Sequence, residues 1–490
     1  MRNLDSAALV QPDGTILFVQ PKTAADVATL PQATILCHRY LTLQNRDVAV
    51  TNDPYSGGTL ASDFTLVMGL GFHPKERNID LLIAARISLN PRLPAAEKLD
   101  GEGVRVPPMP LAQAGVLNRE LLTAIAAHPL APQDLFARVE AAIEQLSQTA
   151  DLLTRISREP GSILRALNFQ NYLKDSGRAF ETLMAKLPLG SVNVSTTLSS
   201  GEMLKLHLKI SEERLLFDFA GSDNSTAFAL TELATFGACW AAIISTLGES
   251  VPINSATFEH LQVSAPSRTF LSASAPRATL RGMTEGIASV GRVVQDALCT
   301  LQSKLQSKQQ SGFRTGSSPS GVGIFQLVFS DTLMFSLQVP GGSGAAVNAS
   351  GSDVAGTWSR QERFLPDPEA IERAFPIHWL EIAKRPDSGG AGRNSGGHGA
   401  ILALELRQDC ELRWLDGSLG RKSSGVDGGR PGIPGAIEII RAGKTDRDEH
   451  REPEGKTALR AGDRVYILSG GGGGFGAPVN DKDDGDHAPP

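Results

Sequence analysis

The chain has 490 residues, of which 50 are glycine and 29 proline, with 41% hydrophobic and 20% charged residues and a formal charge of −6. That length and apolar fraction support a large core and exclude general disorder, while the Gly and Pro content is too high for a helical bundle and too low for collagen. A mildly acidic chain offers no electrostatic footprint for a nucleic-acid backbone or an anionic membrane, so neither is an expected partner.

Over residues 7–89, short apolar runs alternate with turn residues: SAALV, TILFV, RDVAVT, FTLVMGLGF and IDLLIAARI. Pro12-Asp13-Gly14 between the first two runs is a hairpin signal, and the segment is predicted to be largely strand. The proline-rich stretch 91–110 reads as loop. Helical spacing begins near Asn118, giving helices over LLTAIAA, over LFARVEAAIEQLSQTADLLTRI and over residues 162–187. Period-2 patterning returns in MLKLHLKI and RLLFDFAG, two strands joined at SEER. Residues 227–247 and 291–306 read as helices. The uncharged run 233–248 is too short for a bilayer span and reads as a buried helix.

After Ser311 the texture changes. Between Gly312 and Gly476 lie 31 of the 50 glycines, among the short strands GIFQLVF, TLMFSLQV, WLEI, AILALEL, AIEII and DRVYIL. The fold class is therefore mixed α+β, with a strand-rich region 1–117, a central α+β region 118–310, a Gly-rich β domain 311–478 and an acidic tail 479–490, expected to be disordered. Cys37, Cys239, Cys299 and Cys410 show no C-x-x-C spacing, and the N-terminus has no apolar signal-peptide core. A cytoplasmic location follows as the expectation.

The most informative string is Asn52-Asp53-Pro54-Tyr55-Ser56-Gly57-Gly58-Thr59-Leu60-Ala61-Ser62-Asp63. Asn-Asp-Pro initiates a turn and Gly-Gly supplies a second bend, so a hairpin corner explains every residue except Asp63. Cys37 and His38, read as strand neighbours, point to opposite faces and form no dyad. The loop 389–399 (GGAGRNSGGHG) is open to two readings, an anion cradle helped by Arg393 and His398 or a cluster of tight turns. Residues 470–476 (GGGGGFG) contain G-x-G-x-x-G after a strand, but Ala477-Pro478 replaces the helix a dinucleotide site requires, leaving close backbone packing, with a partner interface as one use of it.

The string NDPYSGGT with Asp63 resembles the N-D-P-Y-x-G-G-T-H-x-P-D pattern of the hydantoinase B/oxoprolinase family, which includes subunits of ATP-dependent acetone and acetophenone carboxylases. The resemblance continues in family order through LDSAALVQPDG, LLFDFAGS, VPINSATFEHLQVSAPSRTFL, GRVVQDAL, PDSGGAGRNSGGHGAILALEL, DGGRPGIPGA and LRAGDRVYILSGGGGGFGAP, from Leu4 to Pro478. It implies one subunit of a hetero-oligomer that acts on a small cyclic amide such as 5-oxoproline or a hydantoin. ATP would enter through a hydantoinase A-type partner, since this chain has no P-loop. It also implies site residues at Asn52, Asp53, Gly57, Gly58 and Thr59.

A divalent metal is expected in the family, on the His of G-G-T-H, the Asp three residues on and a His of a downstream H-H-x-D string. Here Leu60 stands for the first His, Asp63 remains, and Ser88, Leu89 and Pro91 stand where His, His and Asp are expected. His73 would substitute only if the chain folds back. A single remaining ligand leaves two expectations: an active ATP-dependent cyclic-amide hydrolase subunit, or a metal-free structural or regulatory subunit of such a hydrolase or of a related carboxylase.

Overall fold

The computed structural model describes residues 6–72, 79–89, 98–113, 115–132, 134–198, 201–225, 229–247, 251–267, 269–304, 321–330, 333–347, 349–355 and 367–478. His73, Pro91 and the acidic tail lie outside them. The chain forms two compact units, residues 1–311 and 312–490, and the first takes in both regions read from sequence as 1–117 and 118–310. Its fold is mixed α+β.

The first unit is built on a seven-stranded sheet of β1 (Ser6–Val10), β2 (Ile16–Gln20), β3 (Val48–Thr51), β4 (Asp63–Leu70), β5 (Leu81–Ser88), β6 (Met109–Gln113) and β7 (Val116–Leu117), in the order β2-β1-β5-β4-β3-β6-β7. The Pro-Asp-Gly turn joins β1 to β2, with Gly14 at φ 99°. The central strands are apolar on both faces, as strands covered on both sides must be. One face, with Phe64, Leu66, Met68, Ile83 and Ile87, packs on α2 (Arg119–Ala126) and α3 (Leu135–Ser157). The other, with Ala49, Val67, Leu82 and Ala84, packs on α1 (Asp26–Leu41).

Helix α1 is absent from the sequence reading, which took residues 7–89 as largely strand. Pro31 and the β-branched Val27, Thr29, Thr34 and Ile35 disfavour a helix locally. Burial outweighs that preference, since Leu30, Ala33 and Cys37 are fully enclosed. Cys37 and His38 are thus helix neighbours, about 100° apart around the axis, and again no dyad forms. The predicted helix over 162–187 is two helices, α4 (Ile163–Ala166) and α5 (Gln170–Met184).

A second sheet of β8 (Gly190–Thr197), β9 (Met203–Ile210), β10 (Leu215–Asp218) and β11 (Leu261–Ser264) follows, with α6 (Glu232–Leu247) and α7 (Ser255–Phe258) inserted before β11. Helix α8 (Ile287–Lys304) starts earlier than the sequence suggested and is preceded by a π-helical turn, Gly282–Gly286. Helix α6 packs on α1 and α8, and α8 packs on β8 and β9. Gly237 lets α6 approach α1, because a Cβ there would lie 2.1 Å from the Ala24 carbonyl oxygen. Among the described residues no helix is long and apolar enough to cross a membrane.

The second unit packs two antiparallel sheets face to face. One is β12 (Val322–Val328), β13 (Met334–Pro340), β16 (Cys410–Leu415) and β19 (Glu454–Leu459). The other is β14 (Ile377–Lys384), β15 (Ala400–Leu406), β17 (Ala436–Ile440), β18 (Arg447–His450) and β20 (Arg464–Leu468), with α9 (Pro368–Ala374) leading into β14. Phe325, Leu337 and Leu412 meet Leu404, Val465 and Ile467 between them.

Beside this sandwich the glycine-rich segments lie against one another and bond from segment to segment. Gly397 N–H donates to the Ser343 carbonyl at 2.9 Å, Gly472 to Gly397 at 2.9 Å, Gly390 to Gly472 at 2.8 Å and Gly474 to Arg430 at 2.9 Å. A Cβ at Gly472 would sit 1.9 Å from the Ser343 carbonyl oxygen. Most N–H groups of the 389–399 loop, which would have held an anion, are used here on backbone carbonyls and on the side chains of Ser388, His398 and Asp353. Gly472→Ala is therefore expected to cost about 3 kcal/mol, the upper part of the overpacking range, read as a lowered urea midpoint for the second unit.

Candidate functional site

The NDPYSGGT segment connects β3 to β4, which pair antiparallel with Thr51 opposite Thr65. Asn52 is fully buried and brackets the turn: its Nδ2 donates to the Ala61 and Val104 carbonyls at 2.7 and 2.8 Å, and its Oδ1 accepts from Val106 N–H at 2.7 Å. Asp53 accepts from Tyr55 N–H at 3.1 Å and from the Ser56 hydroxyl at 3.0 Å, which starts the 3-10 turn Pro54–Ser56. Gly57 closes that turn at φ 85°, a left-handed conformation, and a Cβ there would lie 2.3 Å from the Ala33 nitrogen of α1. Gly58 is equally confined, 2.6 Å from the Asn52 carbonyl oxygen by the same measure. Four of the five turn residues named from sequence thus shape the turn. Thr59 and Asp63 bond each other through their side chains.

Asp63 opens β4 and stands directly across from Ser88 at the end of β5. Thr59 Oγ1 donates to Asp63 Oδ2 at 2.7 Å, and the Ser88 side chain also bonds the carboxyl. Burial and then the negative charge of Asp26 push the Asp63 carboxyl above the usual carboxylate range, against the opposing pull of Thr59, Arg86 and Ser88.

Beneath the turn lies a buried ion pair that the sequence reading passed over. Arg86, 2% exposed in mid-β5, donates to Asp26 Oδ1 at 2.6 Å, to Thr29 Oγ1 at 2.9 Å, to Thr65 Oγ1 at 2.9 Å and to the Gly57 carbonyl at 2.6 Å. Asp26 also accepts from Ser6 and Thr23. Burial opposes its ionisation, but the guanidinium and these hydrogen bonds outweigh burial and hold the carboxyl below its ordinary value. The available signal was a lone arginine inside the apolar run LLIAARI, since a charge that deep is rare without a partner.

A second buried carboxyl joins the turn to a distant segment. Glu102 accepts from the Thr279 and Leu280 N–H groups at 2.8 Å each, and Thr279 Oγ1 donates to the Thr59 carbonyl at 3.1 Å. Tyr55 adds a further tie, its hydroxyl donating to the Arg277 carbonyl at 2.8 Å. Burial pushes Glu102 up to about 7, despite the two backbone donors. The sign follows: between its ordinary value of 4.5 and about 7, the unfolded chain has released the proton while the folded chain keeps it. Stability therefore falls as pH rises through that window, by up to about 3 kcal/mol. Glu102→Gln is expected to shrink the drop in urea midpoint between pH 5 and pH 8.

A divalent metal fits these residues poorly. Leu60 is apolar and Ser88 is already bonded to Asp63, which leaves one carboxyl where three ligands are needed. Leu89, at the next position, is a buried apolar residue. Among the described residues, no three His, Cys, Asp or Glu side chains come together as a metal site.

A profile of the family described as Hydantoinase B/oxoprolinase matches residues 3–478. The chain is 22% identical to 5-oxoprolinase 1 of Arabidopsis thaliana over 514 residues, 97% of this chain but 39% of that protein. Against the 5-oxoprolinase of Saccharomyces cerevisiae it is 23% identical, over 89% of this chain and 36% of that one. A protein of Methanocaldococcus jannaschii is 25% identical, with 89% of this chain and 77% of that protein covered. The chain thus spans little more than a third of the two oxoprolinases and most of the archaeal relative. In fold it is similar to the ATP-dependent caprolactamase of Pseudomonas jessenii, at TM-score 0.80 and 17% identity over 97% of this chain and 86% of that one. It is likewise similar to nucleotide-free acetone carboxylase, at TM-score 0.79 and 14% identity over 97% and 71%. With a profile match over nearly its whole length, this chain belongs to the hydantoinase B/oxoprolinase family.

Proposed function

We propose that the chain is the hydantoinase B-type subunit of an ATP-dependent cyclic-amide hydrolase of the 5-oxoprolinase or hydantoinase type, paired in the cytoplasm with a hydantoinase A-type ATPase. The profile match over residues 3–478 carries this reading. An unactivated lactam is a poor electrophile, and phosphoryl transfer to its oxygen in the partner would make a leaving group of that oxygen. Water then adds at the activated carbon, and the ring nitrogen takes a proton as its bond to carbon breaks, leaving an acyl phosphate that a second water cleaves to carboxylate and phosphate. Asp63 suits that proton transfer, being half-buried, raised in affinity for its proton and aligned by Thr59 and Ser88. Asn52, Asp53, Gly57 and Gly58 hold the turn that presents it.

Co-purified with such a partner, the chain is expected to open 5-oxoproline or hydantoin with ATP. Asp63→Asn should lower kcat about 100-fold or more, the usual scale for losing a proton-transfer group, with no loss of complex. Leu60 and Ser88 beside Asp63 favour a second reading, a metal-free structural or regulatory subunit of such a hydrolase or of a related carboxylase. In that case the assembly would need the chain but tolerate Asp63→Asn.

A further inference from the structure

The π-helical turn Gly282–Gly286 is the unusual element next to the turn just described, and such turns often mark functional sites. Leu280, whose N–H holds Glu102, lies five residues before Glu285, about 7 Å along the helix axis. A Cβ at Gly282 would lie 2.0 Å from the Ala229 carbonyl oxygen, so the widened turn is pressed against the chain leading into α6.

Several polar side-chain atoms on this turn and on α8 are enclosed with no hydrogen-bond partner among the described residues, Glu285 Oε1, Ser289 Oγ and Gln295 Oε1 among them. The Glu285 side chain is 6% exposed; its Oε2 accepts a long hydrogen bond from Arg281 Nε at 3.5 Å in an i,i+4 ion pair, while Oε1 has no partner. Ser289 is 2% exposed and its Oγ is also unpartnered. Four residues apart, the two share a helix face. Leaving buried polar atoms unmade is destabilising, so paired instances on one face call for a ligand.

We propose that Glu285 and Ser289 form a subsite for the amide edge of a lactam. In a small ring the amide is forced cis, so its N–H and C=O lie side by side on one edge. In a linear amide, trans by preference, they point apart. Glu285 Oε1 accepts the N–H and the Ser289 hydroxyl donates to the carbonyl. This deepens the functional reading, on which its substrate class rests, by assigning ring selectivity to a donor–acceptor pair on one helix.

Binding of 2-pyrrolidinone to the full-length chain, followed by saturation-transfer NMR, tests it without ATP turnover. The subsite predicts binding by 2-pyrrolidinone, at least tenfold weaker binding by N-methyl-2-pyrrolidinone and by the linear N-methylacetamide, and a similar loss in Glu285→Met and in Ser289→Ala, which lack the acceptor or the donor. The melting temperature of Ser289→Ala should equal wild type or exceed it, since it removes an unsatisfied group, whereas Glu285→Met also gives up the Arg281 contact and is read by ligand preference alone. Undiminished binding in the variants, equal binding of the N-methyl lactam, or no lactam binding overturns the subsite; a lowered melting temperature of Ser289→Ala with unchanged ligand preference assigns the pair a packing role instead. Loss of ATP-dependent ring opening in the assembly, with lactam binding intact, overturns the functional reading alone.

Discussion

Arg86→Met should destabilise the first unit by about 3–5 kcal/mol, because it strands the Asp26 carboxylate in the interior. The guanidinium bonds four groups, from α1, β4 and the turn itself, so its loss also frees the Gly57 carbonyl and loosens the segment that carries Thr59 and Asp63. Hydrogen exchange in β4 and β5 under increasing urea reads this unit without interference from the second. Asp26→Asn should cost a comparable amount, and the double variant distinctly less than the sum, since two residues that satisfy each other couple. Additive losses would mean that the pair does not act as one unit.

Leu60→His with Ser88→His is expected to create zinc affinity where the wild-type chain has little. Asp63 and Ser88 are register partners across β4 and β5, and Leu60 lies one turn before Asp63, its carbonyl accepting the Asp63 N–H at 2.9 Å. Two imidazoles and a carboxylate would then face one point, with an open position left for water. A Kd near 1 μM or tighter, about 8 kcal/mol of binding, is the scale expected for three protein ligands. Calorimetry at pH 7.5 measures it. No gain over wild type would show that these three positions do not converge as their register implies.

Much of the strand pattern was legible because period-2 runs bounded by Pro, Asp and Gly leave few alternatives, as in SAALV-QPDG-TILFV. Helix α1 was not, because Pro31 and its β-branched neighbours spoke against the helix that tertiary burial enforces. Within the site, the turn and Asp63 were readable as a string. Asp26, Arg86, Glu102 and Thr279 were not, since they come from segments up to 253 positions apart in the sequence and meet only through the fold. The sequence left the loop 389–399 open between an anion cradle and tight turns, and it read 470–476 as close backbone packing. Most N–H groups in the two strings bond neighbouring segments, and the backbone packs so closely there that a Cβ at Gly397 or Gly472 would meet a carbonyl oxygen at about 2 Å.

The most direct test is ATP-dependent opening of 5-oxoproline and hydantoin by the chain purified with a hydantoinase A-type partner, wild type beside Asp63→Asn. Ring opening stoichiometric with ATP hydrolysis, and lost in the variant while the assembly stays intact, is the predicted result. An intact assembly that opens neither ring, or one that works equally well with Asn at position 63, would contradict it.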